Sequence, residues 1–213
     1  MNAAMPSVPD AAEWRDFLAQ PAAYAHNSRL AACFNGTIDA QFCEQLAMSP
    51  RLRGRLSAML AQQYTLPDWT DEESCGDSDR AIAVASARQI AELAHRSGAI
   101  YWAASIATAI LAHEVEVYHK QLGRDLCTFA LTNRDLCGPK QEVSTPDNLR
   151  NWVQADGWRC VEAWRRNLPE SVGRRVLLKL APNPLLDMPP GRTFTELGPA
   201  IVQRAANLGG SHG

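Results

Sequence analysis

The chain has no apolar run long enough to cross a bilayer. Its central uncharged stretch, about 14 residues from Ala99 to Ala112, falls short of the roughly 20 that a membrane helix needs. The opening MNAAMPSVPD has no basic segment followed by an apolar one, so no secretory signal is expected. Closely spaced cysteine pairs are missing as well. The six cysteines stand at 33, 43, 75, 127, 137 and 160, which argues against a compact disulfide framework or a zinc motif and fits thiols kept reduced in the cytosol. Neither sign of charge dominates: 21 basic and 23 acidic residues give a net −2. Nothing global therefore points to nucleic acid or to an anionic membrane. Catalytic signatures are absent too, with no phosphate-binding glycine loop, no G-x-S-x-G elbow and no C-x-x-C. His113-Glu114 begins like a zinc-protease motif, but Val117 stands where the second histidine belongs. No stretch alternates with period two, so no strand is expected, and neither a catalytic residue nor a cofactor is assigned.

What remains is helical periodicity. At 213 residues the chain fits one domain able to bury a proper core. The reading is all-α, a single globular helical domain of roughly eight or nine helices around a central buried helix. Residues 1–9 form a leader, 10–207 the helical domain, and 208–213 a flexible tail. The central element is Ala99 to Ala112, since a helix apolar all round belongs inside a protein. Asp10 caps the first helix, Ile38 to Ala47 makes another, and Ser49-Pro50 opens the next. Residues 67–79, with six acids and no bases, read as a mobile loop. Ser78 or Asp79 then caps a helix to Ser97, stopped by Gly98 as a C-terminal glycine. Arg124 to Leu131 is a short helix. A longer one carries Leu149, Trp152, Val153, Cys160, Val161, Trp164 and Leu168, and Pro169 starts another. Thr193 and Glu196 suit a capping box for the last helix.

Two groups of residues invite a functional reading. Glu92 with His95 and Glu116 with His119 form two E-x-x-H pairs, the pattern used by di-iron helix bundles. This small metal enzyme is the alternative reading. It is disfavoured because the two histidines are separated by roughly 30 Å of helix if the run is continuous. Arg88 and Arg96 also flank Glu92 as ready ion-pair neighbours. No metal ligand is therefore assigned. The second group is a basic segment: residues 150–179 carry seven basic and three acidic side chains. Arg175 and Lys179 share a helix face away from Val172, Val176 and Leu180. Trp158 lies off the apolar stripe of its own helix, so it is exposed unless Gly157 breaks that helix and turns it inward. Trp158, Arg165, Arg166, Arg174, Arg175 and Lys179 are the expected partner-binding residues, an aromatic anchor in a basic rim facing an acidic surface.

Three stretches together resemble the YscK/SctK family of type III secretion accessory proteins. They are Gln20 to Leu30 (QPAAYAHNSRL), the central GAIYWAASIATAIL leading into LGRDLCTFAL at 122–131, and Trp158 to Pro182 with its LPESVGRRVLLKLAP. The resemblance implies a non-enzymatic helical adaptor of the sorting platform beneath an injectisome. Its implied partners are the cytoplasmic domain of the inner-membrane ring and the C-ring-like platform protein, with no nucleic acid and no membrane insertion. It further implies a cytoplasmic protein, peripheral to the inner membrane through those partners.

Overall fold

Thirteen α-helices and no strand occur among the described residues, so the all-α expectation holds. The structure, a computed structural model, describes residues 7–69, 75–143 and 145–207. The first residues of the leader, the tail and the centre of the acidic loop lie outside them. Two compact units emerge, one from residues 7–87 with 165–184, the other from 88–164 with 185–207.

The N-terminal unit contains α1 (Ala11–Ala19), α2 (Asn27–Ala32), α3 (Ala40–Met48), α4 (Pro50–Gln63) and α5 (Asp77–Val84). Local sequence explains the starts. The Asp10 carboxylate accepts the N–H groups of Ala12 and Glu13 at 2.9 and 2.8 Å. The Asp39 carboxylate accepts that of Phe42 at 2.6 Å, and Pro50 takes the first position of α4. Ala22, Leu30, Cys43, Leu56 and Leu60 bury together with Leu178. The expected long helix from 78 to 97 is instead interrupted at Ala85, whose backbone is extended. The freed carbonyls of Ala83 and Ala85 are taken by the Lys179 ammonium at 2.6 and 3.0 Å.

The other unit contains α6 (Ala87–Tyr101), α7 (Ala103–Thr108), α8 (Ala112–Leu122), α9 (Arg124–Thr132) and most of α10 (Leu149–Asn167). The last turn of α10, from Arg165, belongs to the N-terminal unit, as does α11 (Glu170–Lys179). After the short α12 (Pro184–Asp187), α13 (Arg192–Asn207) returns to the central unit. Gly98 lies inside α6 rather than ending it, and Gly157 lies inside an unbroken α10. Both are there for contact, since the helices cross with backbones touching. A Cβ on Gly98 would strike the Val153 carbonyl, and one on Gly157 the Ala94 carbonyl.

The stretch expected as one central helix is divided. Its first part, Ala99 to Ala103, is buried at 3% exposure or less. The helix turns at Trp102, resumes as α7, and leaves the core at Ala109 with extended backbone. Ile110 is 87% exposed and Leu111 55%. A uniformly apolar run carries no phase, so it marks neither the turn nor the exit. The last helix also begins two residues early, at Arg192. In place of a Thr193 capping box, the Arg192 guanidinium pairs with the Glu196 carboxylate at 2.8 Å.

Candidate functional site

The basic segment is mostly interior. Arg165, Arg175 and Lys179 are 9%, 5% and 4% exposed, which corrects the expectation that they face a partner. The helical phase of α11 was right about Val172, Val176 and Leu180, all buried. The opposite face, however, is covered by α1 and α5. Backbone carbonyls accept from each of the three cations. Arg175 donates to Leu18 O at 2.7 Å, Ser171 O at 2.9 Å and Pro67 O at 3.1 Å. Arg165 donates to Gly173 O at 3.3 Å. Arg29, missed in the sequence, does the same to Leu180 O at 2.7 Å and lies over the Tyr64 ring.

Lys179 is the most enclosed of these cations. Its ammonium stands 4.7 Å from the Phe17 ring centre and 5.0 Å from that of Tyr24, besides its two carbonyl acceptors. Burial pushes its pKa down from the ordinary 10.5 to about 7, against the opposing pull of Glu13. The neighbouring Tyr24 hydroxyl donates to Phe17 O at 2.7 Å, and burial pushes its pKa upward.

Less of the segment stays accessible. Arg166 is exposed and Arg174 half-exposed. Arg174 holds the Glu170 carboxylate at 2.6 Å and donates to Tyr64 O and Thr65 O at 3.2 and 2.7 Å. Trp158, on the unbroken α10, is half-buried.

The two E-x-x-H pairs lie on α6 and α8 and do not combine. Glu92 pairs with Arg96 at 3.8 Å, and His95 Nδ1 is 3.0 Å from Gln154 Oε1. Among the described residues, no three His, Cys, Asp or Glu side chains are grouped to hold a metal. All six cysteines are free thiols. Burial pushes up the pKa of Cys160 most strongly, and those of Cys33, Cys43 and Cys127 in the same direction. Such thiols are poor nucleophiles.

A different constellation appears in the central unit. Trp152, Asp156 and Arg159 follow one another along one face of α10 and line a cleft of about 380 Å³ with Tyr101, Trp102, Phe194 and Glu142. The Trp102 indole N–H donates to Asp156 Oδ2 at 2.8 Å, and Arg159 Nη1 to Asp156 Oδ1 at 2.6 Å. Trp102 and Trp152 are nearly parallel, 11° apart with centroids at 6.4 Å, and Tyr101 stacks on Phe194 at 4.5 Å. The i, i+4, i+7 spacing of Trp152, Asp156 and Arg159 was the one signal of this cleft in the sequence.

Comparison with known proteins bears on the whole chain. The family described as YOP proteins translocation protein K (YscK) matches residues 14–187. Nodulation protein NolU from Rhizobium fredii is 27% identical over 162 residues, covering 75% of this chain and 71% of NolU. NolU from Sinorhizobium fredii (strain NBRC 101917 / NGR234) matches to the same extent. No solved structure matches significantly. The matched span takes in all three stretches on which the resemblance rested, and it covers most of the helices of both units. The chain therefore belongs to the YscK family of type III secretion components.

Proposed function

We propose that the protein is a non-enzymatic adaptor of a bacterial type III secretion system, linking the cytoplasmic domain of the inner-membrane ring to the sorting platform. The observation that carries this reading is the family match over residues 14–187. It agrees with a helical body whose buried thiols are unreactive and whose buried cations serve the fold. It agrees also with the fact that no helix among the described residues is long and apolar enough to cross a membrane. On this reading the protein works in the cytoplasm and reaches the membrane through its partners. Of the basic segment, Arg166 and the outer edge of Arg174 are exposed enough to meet an acidic partner surface.

The test is reconstitution from purified components. The chain is mixed with the ring's cytoplasmic domain, with the C-ring-like platform protein, and with both. A ternary complex that neither partner forms without this chain is the expected result. Failure to bind either partner, from a folded sample, would end the adaptor reading.

A further inference from the structure

An adaptor needs more than one docking face, and the accessible remnant of the basic segment is small. The aromatic cleft of the central unit has the composition of an interface hot spot, where Trp, Tyr and Arg are enriched and the anchoring pocket is largely preformed. Its parts are held from below. Asp156 is 8% exposed, and each carboxylate oxygen has a donor, the Trp102 indole on one and the Arg159 guanidinium on the other. Arg159 also lies 5.7 Å from the centre of the Phe194 ring. The lip is fixed as well, since the Gln141 N–H donates to Ser105 Oγ at 2.7 Å and the Gln141 side chain to Pro139 O at 3.0 Å. Little ordering is left to be done on binding, which favours affinity.

The charge of the lining selects the ligand. Asp156 and Arg159 neutralise each other within the floor, leaving the exposed Glu142 at the lip with no ion pair among the described residues. The half-buried Trp152 and Phe194 offer ring surface beside that carboxylate. A side chain with a long or planar apolar stem and a cationic head matches both features, stem on the rings and head on Glu142. An acidic segment would meet Glu142 as a like charge, and a purely apolar one would leave it stranded.

We propose that this cleft receives an arginine or lysine side chain from a basic surface of one secretion partner. The proposal rests on the adaptor reading and adds to it the position and the sign of a docking site. It predicts the opposite polarity from the Arg166 face, so the two partners would be told apart by charge.

Binding of the ring's cytoplasmic domain and of the C-ring-like platform protein is measured separately, at about 50 and 300 mM salt, for the wild type and three variants. Glu142→Arg changes an exposed side chain, Trp152→Ala removes a wall, and Trp152→Phe keeps a ring in place. Glu142→Arg should weaken one of the two associations at least tenfold at low salt, with less effect at high salt. Trp152→Ala should weaken the same association and Trp152→Phe should largely restore it. Should Trp152→Ala fail to fold, Glu142→Arg decides alone. Wild-type binding that persists within twofold in Glu142→Arg for both partners removes the cleft while leaving the adaptor reading intact. Tighter binding by Glu142→Arg means that the partner surface is acidic and overturns the proposal equally. A folded wild type that binds neither partner sinks the adaptor reading and this inference with it.

Discussion

Gly98 and Gly157 meet where α6 crosses α10, and each is the only residue type its position allows. A Cβ on either would fall on a backbone carbonyl of the facing helix, Val153 and Ala94 respectively. A carbonyl fixed in a helix cannot rotate away as a side chain can. Gly98→Ala and Gly157→Ala should therefore each cost about 3 kcal/mol, the upper part of the usual range for overpacking. Gly54, inside α4, is the control: a Cβ there meets nothing within 4 Å. Gly54→Ala should stabilise by about 1 kcal/mol through helix propensity. Thermal melts of the three variants decide the matter, and equal shifts at 98 and 54 would mean that the crossing is looser than described.

Lys179 should give stability a pH dependence of known sign. Its folded pKa of about 7 lies below the ordinary 10.5. Between those values the unfolded chain holds a proton that the folded chain does not. The contribution of Lys179 to stability therefore rises with pH across that window, by at most about 1.4 kcal/mol per pH unit, and is flat below it. The buried thiols act in the other direction at alkaline pH, because burial raises their pKa. The quantity to follow is thus the difference between wild type and Lys179→Met. The variant should be less stable throughout, since the Ala83 and Ala85 carbonyls lose their donor. The gap should widen from pH 6.5 to 9.5. A constant gap would show that the ammonium stays charged in the folded protein.

Removing the acid at the floor of the cleft should be costly for stability as well as for shape. Asp156→Ala strands the buried Trp102 indole N–H, which now donates to Asp156 Oδ2. A lost partner of this kind costs about 1–3 kcal/mol. Asp156→Asn, which keeps an acceptor oxygen, should recover part of the loss. Denaturant melts of the two variants measure it, and equal stability would mean that water replaces the carboxylate.

The apolar central stretch should split into a costly half and a free half. Ile106 is 7% exposed, so Ile106→Ala should cost about 2–4 kcal/mol. Ile110→Ser and Leu111→Ser, at two exposed positions, should fall within about 0.5 kcal/mol of wild type. A large loss at Leu111 would place it in the core after all.

These contrasts show what the sequence carries and what it leaves to packing. Helix starts at Asp10 and Pro50 were legible because capping chemistry is local. So was the Glu92–Arg96 pair, set by one turn of helix. Gly98 reads as a helix stop, and Gly157 leaves break or continuation open, because a glycine's local meaning is to end a helix. Their actual use depends on a second helix some 55 residues away in sequence. Arg175 and Lys179 were placed on the correct face of α11, but one helix cannot say whether that face is covered. One half of the cleft, Trp152, Asp156 and Arg159, has helical spacing that the sequence reading does not single out. Its other half, Trp102 and Phe194, comes from separate helices that no local pattern connects.

The buried cations also alter what another molecule meets on contact. Among the described residues, four basic side chains, Arg29, Arg165, Arg175 and Lys179, are buried, against two acids, Asp156 and Glu162. The side chains at the surface therefore sum to about two units more negative than the formal −2 of the chain. A buried charge still acts at long range, where the total charge sets the field. In close contact the exposed acids count for more, so a positively charged macromolecule gains more from touching the surface than the isoelectric point suggests, and added salt weakens that gain.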